Sequence, residues 1–66
     1  MSFYIQRTTV TNGKPYTFYF MRMTGMGPMF QTINLAKAFD SREAALECID
    51  DEDLDLLDGT LEIVER

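Results

Sequence analysis

FYIQRTTVTNGKPYTFYFMRM, residues 3–23, is the stretch that decides the fold. Phe3 to Val10 is rich in aromatic and β-branched residues, Thr11-Asn12-Gly13-Lys14 interrupts it, and Tyr16 to Met23 resumes the alternation, which together signal a β-hairpin. A two-residue type I′ turn at Asn12-Gly13 pairs Thr11 with Lys14 and puts Val10 opposite Pro15 at a non-hydrogen-bonded position, where proline loses no ladder bond. The register then sets Thr9 opposite Tyr16, Arg7 opposite Phe18, Ile5 opposite Phe20 and Phe3 opposite Arg22. One face collects Phe3, Ile5, Phe18 and Phe20; the other holds Tyr4, Gln6, Thr8, Thr17, Tyr19 and Met21.

Working outward, Thr24-Gly25-Met26-Gly27-Pro28 is a second breaker, and Met29 to Ile33 reads as a third strand that kinks near Asn34 and resumes as far as Ala38. Asp40-Ser41 opens a helix: either residue can cap it, and Asp40 with Glu43 has capping-box spacing. Ala45, Leu46, Cys48 and Ile49 form an apolar stripe within Arg42 to Ile49. Asp58-Gly59 turns the chain, and Leu61 to Glu65 alternates as a fourth strand. The expected architecture is a single α+β domain spanning residues 1–66. It has two layers in the order β-β-β-α-β, one helix packed on a four-stranded, largely antiparallel sheet. With 66 residues and 45% hydrophobic side chains, a second core is excluded.

Charge is unevenly distributed. Six Lys plus Arg against eleven Asp plus Glu give a net charge of −5, which argues against direct nucleic-acid binding. Residues 1–39 hold Arg7, Lys14, Arg22 and Lys37 and no acid, whereas residues 40–66 hold all eleven acids with only Arg42 and Arg66. The segments carry +4 and −9, and the boundary falls where the hydrophobic period changes from two to about 3.6.

The acidic run Glu47, Asp50, Asp51, Glu52, Asp53, Asp55 and Asp58 is the leading candidate site. It follows the helix into its C-terminal end, where the macrodipole disfavours negative charge by about 0.3–1 kcal/mol per group, and Glu43, Glu47 and Asp51 repeat at i, i+4 spacing with no lysine between them. Leu54, Leu56 and Leu57 punctuate the acids, so the segment is expected to pack down and hold its carboxylates in a fixed arrangement suited to Arg and Lys clusters that normally grip phosphate. Counting Asp51 as the first position of a calcium loop puts Asp53, Asp55 and Glu62 at ligand positions, but Leu56 stands where that loop needs Gly and a strand follows where it needs a helix. No metal is therefore expected. Tyr4, Tyr19 and Met21, on the sheet face that a single helix leaves bare, are the second-choice contacts.

Met21, Met23, Met26 and Met29 around the Gly-rich turn read as core filler under a loop. Gly25-Met26-Gly27 lacks the further Gly and the Lys-Ser or Lys-Thr pair of a phosphate loop. Cys48, the single cysteine, lies on the apolar stripe and reads as a small core residue, since no histidine exists to activate it and no disulfide can form within the chain. Neither catalysis nor a cofactor is expected. No secretory leader is legible in Met1 to Val10, and no apolar run approaches the length of a membrane span, so a cytoplasmic protein without membrane contact is expected.

Tyr4-Ile5, the stretch Ala36-Lys37-Ala38-Phe39-Asp40-Ser41-Arg42-Glu43-Ala44-Ala45 and the terminal Leu61-Glu62-Ile63-Val64-Glu65 together resemble short acidic phage and mobile-element proteins, including anti-CRISPR inhibitors. That resemblance implies a stoichiometric inhibitor in the host cytoplasm that blocks a basic surface of a CRISPR effector or another nucleic-acid-handling complex. The alternative is an assembly module, for example a homodimer, that self-associates through its uncovered sheet face.

Overall fold

In the computed structural model, which describes Met1–Arg66, Asn12 and Gly13 both take positive φ, 53° and 77°. This is the type I′ geometry whose twist matches that of the flanking strands. It joins β1 (Phe3–Thr11) to β2 (Lys14–Thr24), and the expected register holds from Thr11↔Lys14 through Val10↔Pro15, Thr9↔Tyr16 and Arg7↔Phe18 to Gln6↔Tyr19. β3 (Gly27–Gln31) pairs with β2, and β4 (Thr60–Glu65) pairs with β1, giving an antiparallel sheet of order β3-β2-β1-β4. One helix, α1 (Arg42–Asp51), packs against it, so the chain is a small α+β fold.

Beyond Gln6↔Tyr19 the expected register ends, and Phe3 does not pair with Arg22. Met21 is the extra residue of a β-bulge: Phe20 pairs with Phe30, but Arg22 pairs with Met29. The bulge resets the alternation and leaves Arg22 exposed, which keeps a cation off the core-facing surface. It also bends β2 away from the first residues of β1. The third strand stops at Gln31, and a 3₁₀ turn at Ile33–Leu35 redirects the chain into the opening between β1 and β2. There Phe39 exchanges two backbone hydrogen bonds with Phe3, at 2.8 and 3.0 Å, and the Lys37 amide donates to the Phe20 carbonyl at 3.0 Å. The segment expected to prolong β3 to Ala38 therefore repairs the gap left by the bulge, satisfying backbone groups that would otherwise be orphaned.

Five residues are buried, each from a different part of the chain: Ile5 of β1, Phe20 of β2, Phe39, Ala45 of α1 and Leu54. Phe30 meets Phe20 edge-on, with ring centroids 5.8 Å apart. Ala45 is small enough to let the helix approach the sheet closely. Ser41 alone caps the helix, its hydroxyl accepting from the Ala44 amide at 3.1 Å, in place of the Asp40–Glu43 box. The helix also runs two residues beyond Ile49.

At 1.5 Å per residue, α1 is roughly 15 Å long, while the eleven residues of β2 span roughly 35 Å. The distal hairpin consequently projects past the helix. Phe18 lies on the core-facing side as expected but is 43% exposed. The methionines do not fill a core either. Met26 sits fully exposed at the tip of a tight turn, which the Thr24 hydroxyl staples by accepting from the Met26 amide at 3.1 Å and donating to the Gly27 carbonyl at 2.7 Å.

Gly59 closes the last connection. Its φ is +98°, and an added Cβ would lie 2.5 Å from the Thr8 carbonyl oxygen, so both conformation and contact require glycine. Gly59→Ala should lower stability by about 1–3 kcal/mol in chemical denaturation, whereas Gly25→Ala, with open space around it, should leave the midpoint unchanged.

Candidate functional site

The apolar face of α1 rests on the sheet and leaves two flanks. On one, Ala44, Glu47, Cys48 and Asp51 follow helical spacing and, together with Glu52, face Lys37 and Phe39 across a cleft of about 330 Å³. Phe39 belongs to the segment that pairs with Phe3, so the same backbone contact that closes the sheet also sets one wall of the cleft. The Lys37 ammonium lies 5.2 Å from the Phe39 ring centroid, in cation–π geometry.

The acids of the run are all exposed, but they divide by position. Glu47, Asp51 and Glu52 converge on the cleft; Asp50, Asp53, Asp55 and Asp58 lie outside its lining. After Glu52 the chain passes through Asp53 into a 3₁₀ turn, Leu54–Leu56, and Leu54 is fully buried while Leu57 packs partly against the core. Leu54 thus anchors the acidic segment, as expected, but Leu56 is 78% exposed and does not. A 3₁₀ turn carries its side chains round in three residues, so Leu54 and Leu57 share a side that Leu56 cannot. Glu62, the last ligand of the calcium count, lies in β4 and accepts a hydrogen bond from Gln6.

Three of the four arginines are directed elsewhere. Arg7 lies over the Phe30 ring, 5.2 Å from its centroid, and its Nε donates to the Asp58 carbonyl at 2.8 Å. Arg42 lies over Phe3 and donates to the Ile63 carbonyl at 3.4 Å. Arg66 donates to the Tyr19 hydroxyl at 3.5 Å. Each of these arginine hydrogen bonds ends on a neutral oxygen.

Burial pushes the Cys48 thiol above its usual range; Lys37 opposes this, and Glu52 and Asp51 reinforce it. Cys48 is not the enclosed core residue expected from its place on the stripe. It is half-buried, packing on the core from one side and lining the cleft from the other, and remains protonated at neutral pH.

Tyr4, Tyr19 and Met21 are half-buried. Tyr4 and Tyr19 lie on the uncovered face as expected, whereas Met21 falls at the bulge, where the alternation is interrupted. Across that face the Tyr19 hydroxyl donates to Gln6 Oε1 at 3.2 Å, Gln6 Nε2 donates to Glu62 at 3.4 Å, and the Thr8 and Thr17 hydroxyls meet at 3.2 Å. This ladder spans β2, β1 and β4 and uses much of the polar capacity of the face internally.

Sequence reasoning missed Lys37 and Phe39. Their signal was a cation and an aromatic immediately before the helix cap, close to the acidic flank once the helix forms. No helix is long and apolar enough to cross a membrane. No protein-family model matches the chain, and no curated protein or solved structure is significantly similar to it.

Asp53 has a left-handed backbone, φ 53° and ψ 38°, just past the helix end, where glycine is the usual occupant. Its charge also opposes the helix dipole, and no basic residue occupies the last turn. Asp53→Gly should therefore raise stability, by about 1 kcal/mol, measured by thermal or chemical denaturation.

Proposed function

We propose that this chain is a small acidic binding protein that docks its helix flank and the following loop on a basic surface of a nucleic-acid-handling complex, acting as a stoichiometric, anti-CRISPR-like inhibitor of a host defence system. The observation that carries this reading is the arrangement of charge. Glu47, Asp51 and Glu52 gather at one cleft, while the Arg7, Arg42 and Arg66 hydrogen bonds are made to neutral oxygens. Desolvating a carboxylate against a partner's guanidinium replaces water with bidentate, charge-assisted hydrogen bonds. A cluster built on α1 and its C-terminal end, with the following loop anchored by the buried Leu54, loses less conformational freedom on docking than a loose acidic loop would.

The strained, electrostatically unfavourable backbone at Asp53 supports the same reading, because local conflict that a glycine would relieve is characteristic of surfaces kept for contact. Binding by fixed carboxylates also supplies long-range steering toward a basic groove, and both steering and affinity fall as salt shortens the Debye length from about 10 Å at 0.1 M to 3 Å at 1 M. For the uncovered sheet face, the internal hydrogen-bond ladder favours a hydrated surface over a contact surface.

The test is affinity capture from host lysate, with immobilised wild type beside a variant carrying Glu47→Lys, Asp51→Lys and Glu52→Lys. The wild type should retain a basic, nucleic-acid-handling partner that elutes with salt. Charge reversal should weaken capture by on the order of tenfold or more, and Tyr19→Ala should leave it intact. Equal retention by the charge-reversed variant contradicts the proposal.

A further inference from the structure

The other flank of α1 points to a second copy of this chain. Arg42, Leu46 and Ile49 face Leu61, Glu62 and Ile63 across a largely apolar groove of about 250 Å³, beside the open edge of β4. Leu46 is 52% exposed there. Ser2 and Arg66 exchange both backbone hydrogen bonds, each 2.8 Å, which fixes the phase of the β1–β4 ladder: the alternate residues Leu61, Ile63 and Glu65 turn their N–H and C=O groups away from β1. The Arg42 bond to the Ile63 carbonyl agrees with that phase; at 3.4 Å it is long, and it gives way when a strand is added at this edge.

The sheet's two edges differ. β3 is short, carries Gly27 and Pro28, and pairs across the bulge, all features that discourage further strand addition. β4, Thr-Leu-Glu-Ile-Val-Glu, has no proline, no lysine and no bulge. We propose that two copies pair antiparallel through β4 about a dyad at Ile63, forming one continuous eight-stranded sheet.

This register is the one that chemistry selects. It uses all three outward-facing residues, sets Ile63 against Ile63, and places Glu65 opposite Leu61 and Glu62 opposite Val64, so no acid faces an acid. A dyad at Glu62 or at Glu65 would put like charges together. Because the dyad is perpendicular to the sheet, both helices lie on the same side, and the two exposed Leu46 side chains and their grooves cover one another. A six-residue edge and one helix flank lie at the small end of stable interfaces, and each copy carries −5, so the dimer is weak and strengthens with salt. That salt dependence is opposite in sign to docking on a basic partner, so the two associations are separable.

Sedimentation equilibrium over a concentration series, at low and high salt, tests the pairing. The wild type should move from its monomer mass of 7.6 kDa to twice that value, at lower concentration when salt is added. Glu65→Pro removes an outward N–H without touching the bonds to β1, and Leu46→Glu puts a charge into the covered groove; each should hold the protein monomeric with an unchanged circular dichroism spectrum. A wild type that stays monomeric throughout overturns the proposal. So does a dimer that survives both variants, or one that only Tyr19→Ala dissolves.

Discussion

Everything in this molecule is hung on the pair of backbone hydrogen bonds between Phe3 and Phe39. Without them the bulge at Met21 would leave the start of β1 unpaired on one side, a cost no small domain can carry easily when its whole stability is of the order of 5–15 kcal/mol. With them, Phe39 is driven into the core, Lys37 is tied to Phe20, and the chain reaches Ser41 in position to cap a helix over the sheet. The helix then has only one orientation that buries Ala45, and that orientation assigns the acids to one flank and the apolar side chains Leu46 and Ile49 to the other.

The core is correspondingly spare. Five buried residues come from five parts of the chain, and eight partly buried ones, among them Phe3, Phe30, Ile49 and Ile63, pack around them. Leu54 is the anchor of the acidic loop, and it explains how a stretch with a left-handed aspartate and repelling carboxylates keeps a defined path. Burial of Leu54, roughly 2 kcal/mol or more, offsets part of the dipole and backbone penalties.

Much of the fold was legible because it is written in local signals. Asn12-Gly13 sets the hairpin register, Ser41 starts the helix, and alternation in Leu61 to Glu65 marks the last strand. What could not be read was non-local. The bulge at Met21 has no strong residue signature, and it alone decides that Arg22 turns outward and that Lys37 to Phe39 returns between β1 and β2. The candidate site follows the same division: the acids were visible as a run, but Lys37 and Phe39 join them only through that return, and the split of the run into cleft and periphery depends on where the helix ends. Phe18 and Met26 were misjudged for a simpler reason, since the length of sheet that a ten-residue helix can cover is a geometric limit rather than a property of the alternating pattern.

The central claim is that the helix flank between Glu47 and Leu57, with Lys37 and Phe39, forms one fixed surface for a basic partner. Nuclear magnetic resonance titration of the labelled protein with an arginine-rich peptide examines it directly. The account predicts saturable shifts confined to the amides of Lys37, Phe39 and Glu47 to Leu57, with those of Tyr4, Gln6 and Tyr19 unmoved. Shifts centred on Tyr4, Gln6 and Tyr19, or no saturable change along Glu47 to Leu57, would contradict it.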